Sequence, residues 1–203
     1  MRWAKEVRGI TSAKELEGFI DRRFVPAKSS LSGRFKGAFR EFYDWSVPRY
    51  RLRYVLAKLT QFIDRCAYGE TEGTSSLTRY TDSDFEVEHV FPQQPSPEAE
   101  SEFGEADDPY SAHWLGNLVL VEKSINASLG NRPYSKKRSV YSQSQLLLTK
   151  AFAEKPKVGT QTKIDKAVEN IESFREWNEA NLKRRHKQIG KLARTVWGIP
   201  RAS

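Results

Sequence analysis

The chain is poor in sulfur. Cys66 is the only cysteine and Met1 the only methionine among 203 residues. A single cysteine cannot close a disulfide within the chain, and it excludes the paired Cys-x-x-Cys ligands of a structural zinc site. Long hydrophobic runs are missing too. No stretch approaches the roughly 20 apolar residues of a membrane span, and the opening MRWAKEVRGI is charged with no apolar run behind it. Neither an export signal nor a membrane anchor is expected, so the reading is cytoplasmic. No glycine-rich loop of the phosphate-cradling kind occurs. Acid is outnumbered: Lys and Arg total 34 against 26 Asp and Glu, a formal charge of +8 with an isoelectric point near 9.5. A surplus of that size points to a polyanionic partner, nucleic acid before a membrane surface. At 38% hydrophobic and 12% aromatic, the chain can bury a core, which excludes wholesale disorder.

The first third reads as helix. Ser12 and Glu15 stand at capping-box spacing ahead of Leu16, Phe19 and Ile20. Phe35, Phe39 and Phe42 make an apolar stripe expected to be core. Pro48 suits a first helical turn before Leu52, Val55, Leu56, Leu59, Phe62 and Ile63. Residues 67–83 are polar and read as a linker or exposed loop. The period then changes from helical to alternating. In DFEVEHVF, Phe85, Val87 and His89 alternate with Glu86, Glu88 and Val90, a strand that Pro92 ends. A long acidic loop follows, with Glu98, Glu100, Glu102, Glu105, Asp107 and Asp108. A strand over Leu118 to Val121, a helix starting near Ser124 and a C-cap at Gly130 come next. The remainder reads as helix, with Ile164, Val168, Ile171, Phe174 and Trp177 on one face. The fold class expected is α+β, mostly α-helical, in one compact domain: N-terminal helices over 1–66, a linker or loop over 67–84, a small ββα unit over 85–141 and C-terminal helices with a basic final helix over 142–203.

Glu88, His89, Asn117 and Asn126 fall in order through the middle unit. His89 alone on a strand would read as structural. In this set it reads as chemical, because a neutral imidazole can take a proton from water, while a carboxylate and an amide oxygen suit Mg2+. Successive strand side chains point to opposite faces, so Glu88 and His89 serve one site only at a strand end. Asn117, in a loop, is suited to bonding nearby backbone.

The ordered set resembles the HNH nuclease motif, the His-Me or ββα-metal finger. EHVFPQ, LGNLVLV, Asn126, NRPYSKK and YSQSQLLLT together are similar to the C-terminal nuclease domain of GmrSD-type, modification-dependent restriction enzymes. The resemblance implies His89 as general base, Glu88 and Asn126 as ligands of Mg2+ or Mn2+, Asn117 as the brace of the histidine loop and Lys137 at the phosphate. Asn131 matches a further bracing position. The chain departs from many relatives in lacking their paired Cys-x-x-Cys staples, so no zinc staple is expected, and Asn126 where many relatives carry histidine points away from an imidazole-rich zinc site. The resemblance also implies DNA as substrate, in a restriction system directed at phage or modified DNA, and an NTP-binding regulatory domain or subunit as partner. A non-catalytic nucleic-acid-binding module with a decayed site, or an RNA-directed nuclease, remains the alternative.

Between Asn181 and Trp197 there is no acid. Lys183, Arg184, Arg185 and Lys187 there, with Lys136 and Arg138 in the SKKR run, are expected to neutralise phosphates without reading sequence. His113, before Trp114, is expected to be structural, and His186 to lie outside the chemistry.

Overall fold

Helices open the chain, as the spacing of its apolar residues requires; the computed structural model describes residues 2–200. α1 spans Arg2–Arg8, α2 Ala13–Phe19, and a π-helical turn Ile20–Phe24 leads into α3, Val25–Arg40. Ser12 caps α2 by accepting the Glu15 N–H at 3.2 Å, and Glu15 reaches back to the Thr11 N–H at 2.8 Å. These helices, with residues 197–200, form one unit, and residues 42–196 form a second. In the first unit Phe19 is buried and Phe35 stacks on Phe39 with centroids 5.7 Å apart, but Leu16, Ile20, Phe24 and Leu31 are exposed. The aromatic stripe is therefore only half core: Phe35 and Phe39 are partly covered, because so short a helical segment has little volume in which to bury them.

The second unit begins with a 3-10 turn, Asp44–Ser46, and Pro48 caps α4, Arg49–Tyr68. α4 buries Leu52, Leu56, Leu59 and Ile63, the stripe its spacing lays out. The segment 67–83 is not a free linker. It folds into α5 (Glu72–Ser75) and a 3-10 turn (Leu77–Thr81), tied to α4 where Gln61 Nε2 donates to Thr74 O at 2.9 Å. Tyr80 is buried and its hydroxyl donates to Asp64 Oδ2 at 2.9 Å, while the Leu147 N–H donates to Asp64 Oδ1 at 3.1 Å.

Burial pushes the Asp64 carboxyl up to about 6, against those two hydrogen bonds. Its folded pKa thus lies above the unfolded value of about 3.9. As pH rises the unfolded chain gives up its proton first, so stability from this group is full below about pH 4 and lost by about pH 6, on the order of 2–3 kcal/mol. Asp64→Asn can keep the Leu147 bond on its carbonyl oxygen and donate to Tyr80 Oη. The variant should gain on the wild type between pH 4 and pH 7 in urea unfolding; a constant difference across that range would contradict the assignment.

β1 spans Phe85–His89 and α6 Pro97–Phe103; short 3-10 turns at Ser111–His113 and Leu115–Asn117 lead into β2, Leu118–Glu122. The strands pair antiparallel in one two-stranded sheet, Phe85 opposite Glu122 and His89 opposite Leu118. The acidic loop carries structure that its charge conceals. Ser96 caps α6 with Pro97 in its first turn, and Ala99 and Phe103, four apart, turn inward. Phe103 stacks on Phe91 at 4.0 Å. α7, Lys123–Leu129, follows β2 directly and ends at Gly130 with φ 56°, a backbone that favours glycine. α8 is Tyr134–Tyr141, α9 Leu147–Ala153, α10 Lys163–Val168 and α11 Glu179–Val196.

The C-terminal helix expected through Ile171, Phe174 and Trp177 is broken between α10 and α11. All three side chains are buried, but from an irregular segment: the Phe174 N–H donates to Phe152 O at 3.0 Å, and Asn178 Oδ1 accepts the Asn181 N–H at 3.0 Å to restart the helix. Val90, Val119, Val121, Leu129, Tyr141, Phe152 and Trp177 form the core around the hairpin. The mostly helical α+β class expected of the sequence holds. None of the described helices is long and apolar enough to cross a membrane.

A candidate active site at the end of β1

The backbone beyond His89 is fixed by Asn117, which is fully buried. Asn117 Oδ1 accepts the Phe91 N–H at 2.8 Å and Trp177 Nε1–H at 3.0 Å, and its Nδ2 donates to Phe91 O at 2.8 Å and Ala112 O at 2.7 Å. The Val90 N–H donates to Asn117 O at 2.8 Å. One residue at the start of β2 thus holds the end of β1, the 3-10 turn at Ala112 and the segment before α11. Lys137, buried on α8, clamps the same end. Its Nζ donates to Glu88 Oε1 at 2.6 Å, His89 O at 3.1 Å and Val90 O at 3.4 Å. Burial draws the Lys137 ammonium below its ordinary pKa, and Glu88 opposes that shift. The buried Tyr141 hydroxyl also donates to Glu88 Oε1, at 3.2 Å; burial first and Glu88 second hold its pKa high.

Three further segments meet at His89. Asp44 lies 45 residues upstream, positioned by an isolated bridge between Tyr43 and Trp114 and by the Leu115 N–H donating to Phe42 O at 3.3 Å. His89 Nε2 lies 2.8 Å from Asp44 Oδ2, and His113 Nδ1 lies 3.1 Å from both Asp44 oxygens. Gln93 Nε2 donates to Asp44 Oδ2 at 3.2 Å, and Trp45 covers the His113 ring at 4.2 Å. An ionised carboxylate only accepts, so each imidazole presents an N–H to Asp44. His89 therefore keeps its Nδ1 lone pair free, and that nitrogen makes no hydrogen bond within the described residues. Burial lowers the His89 pKa from its ordinary value, and the bond to Asp44 only partly offsets this, so burial favours the neutral imidazole. A cleft of about 240 Å³ lies here, lined by Glu88, His89, Pro92, Gln93, Asn131 and Lys137 among others.

Asn126, on α7, does not bond to Glu88. Its Nδ2 donates to Glu86 Oε2 at 2.6 Å, and its Oδ1 is buried without a hydrogen-bond partner among the described residues. Glu86 and Glu88 are two apart on β1 and share a face, so Asn126 stands over the strand face that carries Glu88. Among the described residues both hydrogen bonds to Glu88 fall on Oε1, and none reaches Oε2.

The basic residues divide. Arg185 departs from the expectation of a phosphate contact: it is buried, bonded to Gly116 O and to Leu118 O (2.9 Å), and stacked over Phe152 at 4.5 Å. Burial lowers its pKa to about 10, and its role is to tie α11 to the start of β2. α11 approaches so closely there that a Cβ on Gly116 would stand 2.6 Å from His186. Lys136 pairs with Glu98 at 2.6 Å, Lys183 with Asp107 at 3.1 Å and Glu179 at 2.6 Å, and Arg184 with Glu172. Arg138 donates to Ala153 O at 3.0 Å. Lys187 is exposed and borders a groove of about 710 Å³ between α4, α10 and α11 that none of Asp44, Glu88, His89 or His113 lines.

Sequence reasoning missed Asp44, and it expected His113, which stands 3.1 Å from both Asp44 oxygens, to be structural. The one local signal was an acid set among the aromatics of FYDW just ahead of a helix. Glu86, the partner of Asn126, enters the sequence reading only through the alternation of the strand.

The fold and its site define a helical α+β domain built on a β-hairpin–helix unit, with an acid–histidine pair at the strand end. The chain belongs to the family of GmrSD restriction endonucleases, C-terminal domain, whose model matches residues 32–192. The match takes in Asp44, the hairpin, α7, α8 and most of α11, and it places the chain among the nuclease modules of DNA restriction systems. No curated protein matches the chain.

Proposed function

We propose that this domain hydrolyses DNA phosphodiester bonds as a divalent-metal-dependent HNH-type endonuclease or nickase, within a system that restricts phage or modified DNA under an NTP-binding regulatory domain or subunit. The observation that carries the reading is the His89 imidazole, its Nε2 held 2.8 Å from Asp44 Oδ2 beside a cleft that Glu88 and Lys137 also line. In the reaction, Nδ1 takes a proton from water as the water oxygen bonds to phosphorus, and the bond from phosphorus to the 3′ oxygen breaks. Asp44 keeps the proton on Nε2 and stabilises the imidazolium that forms. Asn117 and Lys137 fix the strand end so that the imidazole is aimed before substrate arrives.

The residues present fit a hard cation. Among the described residues Glu88 Oε2 has no donor, and Asn126 Oδ1 is a buried acceptor lacking a partner, a state that costs about 1–3 kcal/mol unless something binds it. Two oxygens of this kind suit Mg2+ or Mn2+ with water completing the shell. Such an ion, when bound, shields phosphoryl charge and stabilises the leaving oxygen.

Asn126→Ala should raise the Mg2+ concentration for half-maximal plasmid cleavage by at least about tenfold, since even outer-sphere partners of a metal are worth 10–100-fold. Glu88→Ala should do the same and also strand the buried Lys137 ammonium. An unchanged Mg2+ requirement in Asn126→Ala would remove the ligand assignment.

A further inference from the structure

We propose that Asp44, His89 and His113 form a second cation site, selective for borderline transition metals such as Zn2+ or Co2+, whose filling switches the nuclease off. The proposal rests on the reading of His89 as the base, but the site itself stands on geometry alone. Three segments of chain bring two imidazole nitrogens and one carboxylate to a single point, with donor atoms all within 4.8 Å of one another. His89 Nε2 and Asp44 Oδ2 are 2.8 Å apart, and His113 Nδ1 is 3.1 Å from Asp44 Oδ1. Ligands of a tetrahedral Zn2+ stand about 3.3 Å apart for bonds near 2.0–2.1 Å, so those pairs need to open by only a few tenths of an ångström. All three side chains are partly exposed, which leaves room for water as a fourth ligand.

Donor chemistry separates this site from the oxygen pair of Glu88 and Asn126. Two imidazoles and a carboxylate suit Zn2+, Co2+ or Ni2+, whereas Mg2+ asks for an octahedron of oxygens. The inhibition follows from proton bookkeeping. Without metal, His89 carries its proton on Nε2, bonded to Asp44, and Nδ1 is bare. A metal needs the lone pair on Nε2, so the same proton moves through solvent to Nδ1. His113 changes tautomer in the opposite sense, from Nδ1–H to Nε2–H. Nδ1 of His89 thereby becomes a donor and no longer accepts a proton from water.

Titrating the full chain with Co2+, without DNA, tests the site by visible absorption and calorimetry. Wild type and Glu88→Ala should each show the tetrahedral absorption band of one Co2+, and His113→Ala should lose that band and the heat that accompanies it. Asp44→Asn, which keeps the shape of the side chain, should bind far more weakly. Cleavage tests the switch, each rate divided by the same protein's rate in Mg2+ alone. Equimolar Zn2+ should lower the wild-type ratio about a hundredfold, the scale of a lost general base, and should leave that of His113→Ala near one. Absence of a Co2+ band in wild type, or an equal band in His113→Ala, overturns the site; binding without inhibition overturns the switch. Should the domain cleave no DNA at all, the Co2+ result still decides the site, separating its failure from that of the nuclease reading.

Discussion

Asn117→Ala should cost about 3–5 kcal/mol of stability, the largest loss expected from a single polar change in this domain. The side chain is fully buried and all four of its hydrogen-bond positions are used. Its removal leaves the Phe91 N–H and C=O, the Ala112 C=O and the Trp177 indole N–H facing an apolar cavity. Each such group costs about 1–3 kcal/mol when it finds no partner, and water entering the cavity recovers part of the sum. For a domain of this size the melting temperature should fall by roughly 10 °C or more. Thermal unfolding checks it. A fall of under about 2 °C would mean that the strand end is held by Lys137 and the hairpin alone, and that Asn117 braces nothing.

His89→Ala should lower DNA cleavage by about 10²–10⁴-fold, the range contributed by a positioned general base, while the fold is kept. The imidazole is partly exposed and its bond to Asp44 lies at the edge of the site, so its loss touches little of the core. Asp44 then retains His113 and Gln93 as partners. Asp44→Ala acts on the same atom from behind. Without the carboxylate the imidazole shares its proton between both nitrogens and is free to turn, so kcat should fall with little change in KM. A fall in KM-controlled binding alone would make Asp44 a substrate contact rather than the residue that positions the base.

The hairpin–helix unit was legible because its signals are local. Alternation from Phe85, turn residues ahead of Leu118 and glycine at 130 each act within a few residues, and β1, β2 and α7 stand where those signals put them. The role of Asn117 was legible in kind, since a loop asparagine beside a strand seeks backbone partners, though not in extent: Trp177, 60 residues away, supplies one of its bonds. What could not be read arises from contacts made across long separations. Asp44 meets His89 only because Tyr43 bridges Trp114. The irregular segment ahead of α11 has the apolar spacing of a helix, but its buried side chains are fixed by Phe152, Tyr134 and Asn117 instead. Arg185 sits within a run of cations, and nothing local distinguishes it from its exposed neighbours; the carbonyls of Gly116 and Leu118 draw it inward.

The acidic segment bears on how DNA approaches. Glu98 and Asp107 lie against Lys136 and Lys183, two of the cations expected to meet phosphate. Exposed pairs of this kind are worth little, so a polyanion can displace the acids at small cost.

The most direct measurement is cleavage of supercoiled plasmid by wild type and His89→Ala, each with Mg2+, with Mn2+ and with a chelator, using modified and unmodified DNA. Nicked or linear product from wild type only when the metal is present, and at least a hundredfold less from His89→Ala, is the predicted result. Equal cleavage by the two proteins, or cleavage by wild type that survives the chelator, would contradict the account.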